Sequence, residues 1–389
     1  MGEGLPDQSH VDRHGNFLNS DGTLAFISGQ FFLEKILENE HCFICGVLPN
    51  KVKFNDEHII PQWLLTYADI WKDSITLPNG ARINYGRYKV KCCMGCNALL
   101  GRVFEARVAE VLRGGFSCVD EFVKTNDGFD LIFVWLALLH LKTSMLDFRL
   151  DYNVDKRLPQ FAIGSTLNFR LLHHVLCLCR SYVLGHKIED KVYGSMFVFE
   201  VEENNPSKKK FDFVDLHFPQ TVLLRIGDVA IISCFNDSGA LAIIAENHLE
   251  RIRTWGRPLN ELQLKETFAY LSCASLQMRK PEFVTVFDRV SRQIEVICNR
   301  PNEIEIDDYN PKLMGALMLS LVRENVPNMT IEGKRGKAAA ELIATGTVTF
   351  YSGSIFRTDE RQTKLYKEML HEVDDVLSRC SSELSTGFQ

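Results

Sequence analysis

The sequence predicts an α+β fold: a small N-terminal strand–strand–helix module stapled by a structural zinc, followed by a larger mixed region of helices and antiparallel sheet. Three observations predict it. Cys42-x-x-Cys45 and Cys93-x-x-Cys96 form two knuckle pairs that can hold one tetrahedral zinc from opposite sides. Residues 193–202 and 211–218 alternate in the two-residue period of half-buried strands. Helical spacing of apolar residues recurs after Asn97 and again over 129–150.

The chain has 389 residues and is 46% hydrophobic, enough for two or three domains with cores of their own. Its net charge is −6, which excludes a polybasic nucleic-acid binder as a whole. Residues 42–113 nevertheless carry ten Lys/Arg against six Asp/Glu, a net +4, so the remainder carries −10. A basic module on an acidic body suits a small domain that touches phosphate, though a solvated charged face gives the same count. Five of the twelve cysteines lie in or beside the knuckles: Cys42, Cys45, Cys92, Cys93 and Cys96. The others are scattered, several in apolar runs, which fits reduced thiols in a cytoplasmic protein. The opening residues lack a charged stretch followed by an apolar core, so no signal peptide is expected, and Pro6 breaks the myristoylation pattern. The longest apolar run, Leu131 to Leu139, has nine residues, far short of the ~20 that span a bilayer.

In order, residues 1–38 read as an N-terminal tail with a short helix over 31–37, and 39–115 as the zinc module. Within the module, Lys51–Ile60 contains a strand that Pro61 ends. Pro78-Asn79-Gly80 is a turn between Ser74–Leu77 and Ala81–Tyr85, so a hairpin fills the spacer. Tyr88–Lys91 is a second strand entering the second knuckle. From Asn97, the apolar residues Leu100, Val103, Phe104, Val108, Val111 and Leu112 keep a helical spacing until Gly114-Gly115 stops it. Residues 116–389 form the larger α+β region, with a role in regulation, sensing or partner binding. It opens on a core helix over 129–150. Strands follow at 193–202 and 211–218, read as a hairpin joined by a lysine-bearing link, then at Thr221–Arg225 and Val229–Phe235, and the Asn236–Gly239 turn carries the sheet on toward Ala240–Ala245. Helices follow over Glu261–Gln277, Pro311–Arg323, Ala338–Ala344 and Arg361–Ser378. His140, His173, His174 and Cys177 suggest a second metal site, but their spacing matches no ligand rule.

The chemistry concentrates in Asp56-Glu57-His58, between the knuckles. Hydrolysis of a phosphodiester needs a base for water, a cation for the phosphate and positive charge along the backbone. His58 can be the base, with an unperturbed pKa of roughly 6.5. Glu57 offers a hard oxygen for Mg²⁺ or Mn²⁺, and Asn97 a second from the helix after Cys96. Arg82, Arg87, Lys89 and Lys91 supply positive charge.

Cys-x-x-Cys, then Glu57-His58-Ile59-Ile60-Pro61, then Cys-x-x-Cys-Asn97 resembles the HNH endonucleases, whose fold is the ββα-metal finger. The resemblance covers His41 to Arg113. It implies a structural zinc on Cys42, Cys45, Cys93 and Cys96, a general base at His58, and a catalytic Mg²⁺ or Mn²⁺ on Glu57 and Asn97. It also implies a middle Asn that orients the base; Asn79 and Asn84 both qualify, and Asn84 lies nearer the second knuckle. A further metal ligand expected one turn after Asn97 falls on Gly101. Glu105, two turns along, is the substitute, although a surface carboxylate paired with Arg102 is an equal reading. The implied substrate is double-stranded DNA. HNH domains also serve as effectors in bacterial antiviral systems, which would make residues 116–389 the controlling region, acting through a protein partner or a second copy of the chain. The alternative is a non-catalytic zinc-stapled module that binds nucleic acid or protein, with His58 a core histidine.

Overall fold

The computed structural model describes residues 11–19, 23–38, 40–203, 209–288 and 293–322. Helices expected over 338–344 and 361–378 lie outside these residues, as does most of the lysine-bearing link after Glu203. The described chain is mixed α+β and divides into two compact units. The first comprises residues 1–198, 203–240 and 280–302, and the second 199–202, 241–279 and 303–389.

In the first unit, β1 (Phe17–Leu18) and β2 (Leu24–Phe26) pair antiparallel and lead into α1 (Gly29–Phe31), which continues as a π turn over Phe32–Ile36. Ser28 caps this segment by accepting from the Phe31 N–H. β3 (Phe54–His58) ends before Pro61, which opens α2 (Gln62–Tyr67). The short hairpin of β4 (Ser74–Thr76) and β5 (Arg82–Asn84) fills the spacer as the Asn79-Gly80 turn predicts. β6 (Lys89–Cys93) runs antiparallel to β3, with Phe54 opposite Cys93 and His58 opposite Lys89. α3 (Met94–Leu100), a π turn over Gly101–Glu105 and α4 (Ala106–Arg113) follow without a break, and Gly114 ends the run before α5 (Gly115–Phe122).

α6 (Asn126–Phe148) is the axis of this unit. Thr125 caps it by accepting from the Gly128 N–H, and every residue from Leu131 to Met145 is buried. It is long and apolar enough to cross a membrane by length and composition, which the nine-residue run did not suggest. Of its most apolar window, 83% is buried inside the protein, as in a core helix. α7 (His173–Leu184), not anticipated from sequence, packs beside α6 and ends at Gly185 in the left-handed conformation. The sequence sets a module boundary near 115. In the structure Cys42, Ile60, Val90 and Leu112 belong to the same continuous core as Trp135, Leu139 and Leu178, because a few short elements cannot bury their apolar faces alone.

β7 (Lys187–Ile188) precedes β8 (Ser195–Glu200), β9 (Phe211–Leu216), β10 (Thr221–Ile226) and β11 (Val229–Cys234). The four-stranded sheet has the order β8-β11-β10-β9, so the expected β8–β9 hairpin is corrected: these strands lie at opposite edges. β9, β10 and β11 instead form an antiparallel meander through short links, with Gly227 at a positive φ between β10 and β11. Short links close at less entropic cost than the long connection after β8, so they set the pairing. After Asn236-Asp237-Ser238-Gly239 the sheet does not continue over Ala240–Ala245 as expected; that apolar run, rich in alanine, forms α8 (Ala240–Ile244), and α9 (Glu246–Trp255) and α10 (Glu261–Gln277) follow. An antiparallel pair not foreseen from sequence, β12 (Glu282–Phe287) and β13 (Ile294–Asn299), joins β7 in parallel through β13.

In the second unit, α10 starts at a capping box in which Asn260 and Gln263 satisfy each other's backbone N–H groups. It packs against α11 (Pro311–Val322), and His248 stacks on Tyr270 at 4.4 Å.

Candidate functional site

The two knuckles converge. The sulfurs of Cys42, Cys45, Cys93 and Cys96 lie within 4.8 Å of one another, the only such group of three or more ligand side chains among the described residues. The first knuckle turns through Gly46 at φ +72°, with its N–H on the Cys42 carbonyl and the Cys42 N–H on the Val47 carbonyl. In the second, Cys93 caps α3 and its sulfur accepts from the Cys96 N–H at 3.4 Å. Cys92 Sγ packs 3.8 Å from Cys42 Sγ but stands outside the four. Crowded sulfurs cannot all ionise unaided. Hydrogen bonds from Cys45, then Cys92 and Cys96, drive the Cys42 thiol down, while Cys45 is pushed up to about 12 by Cys42. A divalent soft-accepting cation removes that conflict, so the donor set fits zinc. A Cβ at Gly46 would meet Leu24 Cδ1 at 2.2 Å in a left-handed backbone. Gly46→Ala is therefore expected to cost about 1–3 kcal/mol in denaturant unfolding, and an unchanged midpoint would contradict the knuckle geometry.

Arg180 of α7 braces the first knuckle. Its guanidinium donates to the carbonyls of Ile44 at 2.6 Å, Leu24 at 2.8 Å and Ala25 at 3.3 Å, and it is buried. Burial lowers it to about 10, opposed by Cys177, Cys45, Cys42 and Cys96, so it remains a cation at neutral pH facing the sulfur cluster.

His58 and Glu57 close β3 and are both buried. The Gln62 side-chain amide meets His58 Nδ1 at 3.1 Å from the first turn of α2, and Trp71 stands edge-on to the imidazole at 5.6 Å. Nε2 is buried with no hydrogen-bond partner. Burial first, then the charge of Lys89, holds the His58 pKa below its usual value. Lys89 and Lys91 share one face of β6, and Lys91 pairs with Asp56 at 2.5 Å, so positive charge lies beside the histidine.

Glu57 points inward, where Lys142 of α6 takes it. Lys142 Nζ lies 3.0 Å from Glu57 Oε1 and 2.7 Å from the His58 carbonyl oxygen. Glu105 joins this group electrostatically: burial raises its pKa, the Glu57 charge raises it further, and Lys142 lowers it. Eight residues after Asn97, a regular helix would carry Glu105 about 80° past two full turns. The segment between them, Gly101–Glu105, is a π turn, in which each hydrogen bond reaches one residue further. Asn97 is half-buried on the first turn of α3. The residues do not fit a preformed divalent-ion site: the cation at Glu57 is the Lys142 ammonium, and Glu57, His58 and Glu105 do not gather at ligand spacing as the four cysteines do.

Asn84 donates to the Lys72 carbonyl at 2.7 Å and Asn79 to that of Asp151 at 2.8 Å; the side chain that meets the imidazole is Gln62. The scattered histidines are otherwise engaged: His140 with Asp215, His173 with the Ile27 carbonyl and Cys177, His174 with the Leu171 and Phe235 carbonyls. Lys142 and Arg180 escaped the sequence reading although a signal was present. Each is a lone cation in an otherwise apolar helical run, and a cation there must find a partner. No family model, curated protein or solved structure matches the chain.

Proposed function

We propose that the chain is an HNH-type endonuclease hydrolysing phosphodiester bonds of double-stranded DNA, with residues beyond 115 controlling when it cuts, as in an antiviral effector. The observation that carries this is His58: a buried imidazole anchored at Nδ1 by Gln62, with Nε2 unpartnered, at the end of β3 in a cysteine-clustered β3–β6–α3 arrangement. The Gln62 amide nitrogen faces Nδ1. Base action at Nε2 therefore requires that amide to turn over and accept from Nδ1–H with its oxygen, and water to reach the buried Nε2. The Nε2 lone pair then takes the proton from water. The hydroxide attacks phosphorus, the P–O bond to the leaving sugar oxygen breaks, and that oxygen is protonated from solvent. Lys89, Lys91, Arg82 and Arg87 line the phosphate backbone. The Mg²⁺ or Mn²⁺ implied by the HNH resemblance on Glu57, Asn97 and Glu105 enters no step here.

The test is plasmid cleavage by the zinc-loaded full chain. His58→Ala is expected to lower the rate by about 10²–10⁴-fold. Equal cutting by mutant and wild type, or no cutting by either with any nucleic acid or partner tested, sinks the catalytic reading. The base form of a histidine with a depressed pKa persists to lower pH. The acid limb of the rate profile is therefore expected below 6.5, moving upward in Lys89→Gln, which removes a charge that lowers His58. A limb that ignores Lys89 would detach the profile from His58. The burial of His58 favours a second reading, a zinc-stapled binding module without catalysis. Retention of DNA by wild type and His58→Ala alike, with no cleavage, is its expected result.

A further inference from the structure

Lys142 is 1% exposed, in the middle of a helix buried from Leu131 to Met145. An ammonium in such surroundings is tolerated only when its donors are satisfied by charged or strongly polar acceptors. Glu57 Oε1 and the His58 carbonyl oxygen supply two, and Glu105 lies within electrostatic reach. Mg²⁺ on the same carboxylate oxygen would sit about 2.0–2.1 Å from it. With Lys142 at 3.0 Å from that oxygen, two cations would crowd one carboxylate in a poorly solvated place.

We propose that Lys142 is the resident cation of Glu57, a tethered ammonium standing where a divalent ion would otherwise bind. While it is in place, this carboxylate takes up neither Mg²⁺ nor Mn²⁺. The expectation of an ion at Glu57 comes from the nuclease reading, but the assignment of its cation does not need cleavage to be true. Lys142 is a positioning residue. It holds Glu57 inward and, through the His58 carbonyl, fixes the end of β3 that presents the imidazole. An ionised Glu57 balanced by the ammonium is neutral; without the ammonium it carries −1, and such sites gain affinity for hard divalent ions with ligand charge.

The experiment is a Mn²⁺ titration of the zinc-loaded full chain, following free Mn²⁺ by electron paramagnetic resonance. Wild type and Glu57→Gln are expected to give the same curve. Lys142→Gln is expected to gain one Mn²⁺ with a Kd on the order of 10⁻⁴ M, a gain that the additional change Glu57→Gln removes. Lys142→Arg keeps a cation and should behave as wild type. Uptake of a Mn²⁺ by wild type that Glu57→Gln abolishes overturns the proposal, as does a folded Lys142→Gln that gains no site. If Lys142→Gln fails to fold, the comparison of wild type, Glu57→Gln and Lys142→Arg decides alone. Absence of cleavage in every variant would count against the nuclease reading without touching this result. Conversely, His58-dependent cleavage together with Glu57-dependent Mn²⁺ uptake would overturn the resident-cation assignment and leave the nuclease reading standing.

Discussion

Stripping zinc from the full chain with 1,10-phenanthroline is expected to unfold the unit that contains the knuckles. Apparent zinc binding to a four-ligand structural site is worth about 10–16 kcal/mol at neutral pH, against a whole-domain stability of about 5–15 kcal/mol. The four sulfurs join the segment after α1 to the start of α3, and Cys42, Cys93 and Cys96 are themselves part of the shared core. Losing the ion therefore frees the ends of both knuckles and leaves crowded thiols. Near-UV circular dichroism reads the event through Trp63, Trp71 and Trp135, all in this unit. Elemental analysis should find one zinc per chain, absent in Cys45→Ser and Cys96→Ser and retained in Cys118→Ser, whose cysteine is exposed elsewhere. Cys92→Ser should also retain it. A zinc-free chain with an unchanged melting curve would sink the assignment.

Arg180→Met comes next in expected effect. The substitution keeps much of the apolar stem but removes every donor to the carbonyls of Ile44, Leu24 and Ala25, leaving them in a dry interior. It also removes the cation facing the sulfurs. Breaking a buried charged network of this kind costs roughly 3–5 kcal/mol, and loss of support around metal ligands lowers affinity about 10–100-fold. Lysine is a poor rescue, because one ammonium cannot span three carbonyls in a fixed fork. The measurements are urea unfolding and zinc competition with a chromophoric chelator. A variant with wild-type stability and zinc affinity would show that Arg180 is a passenger.

Strong local rules were legible in the sequence. Cys-x-x-Cys spacing, the Asn79-Gly80 turn, the Gly114 stop and the apolar periodicity of 97–112 and 129–150 each correspond to an element in the structure. Pairing choices were not legible, because β8 reads equally well beside β9 or β11 until the short links of the meander are weighed. β12 has no fully buried position to mark it out, whereas β13, buried at Ile294, Val296 and Cys298, alternates in the strand period and was legible although not read. At the site, Cys42, Cys45, Cys93 and Cys96 could be named because metal geometry restricts spacing. Lys142 and Gln62 could not be tied to Glu57 and His58, since their meeting depends on how α6 and α2 dock rather than on distance along the chain.

The burial of α6 against the segment that carries the four clustered cysteines bears on portability. A gene fragment cut after residue 115 would leave Glu57 without its ammonium and expose the apolar sides of Val108, Val111 and Leu112. Such a fragment should precipitate rather than behave as an excisable cassette. Chimeras that move this chemistry into another protein would have to carry the sequence through at least Leu184, so that both supporting helices travel with it.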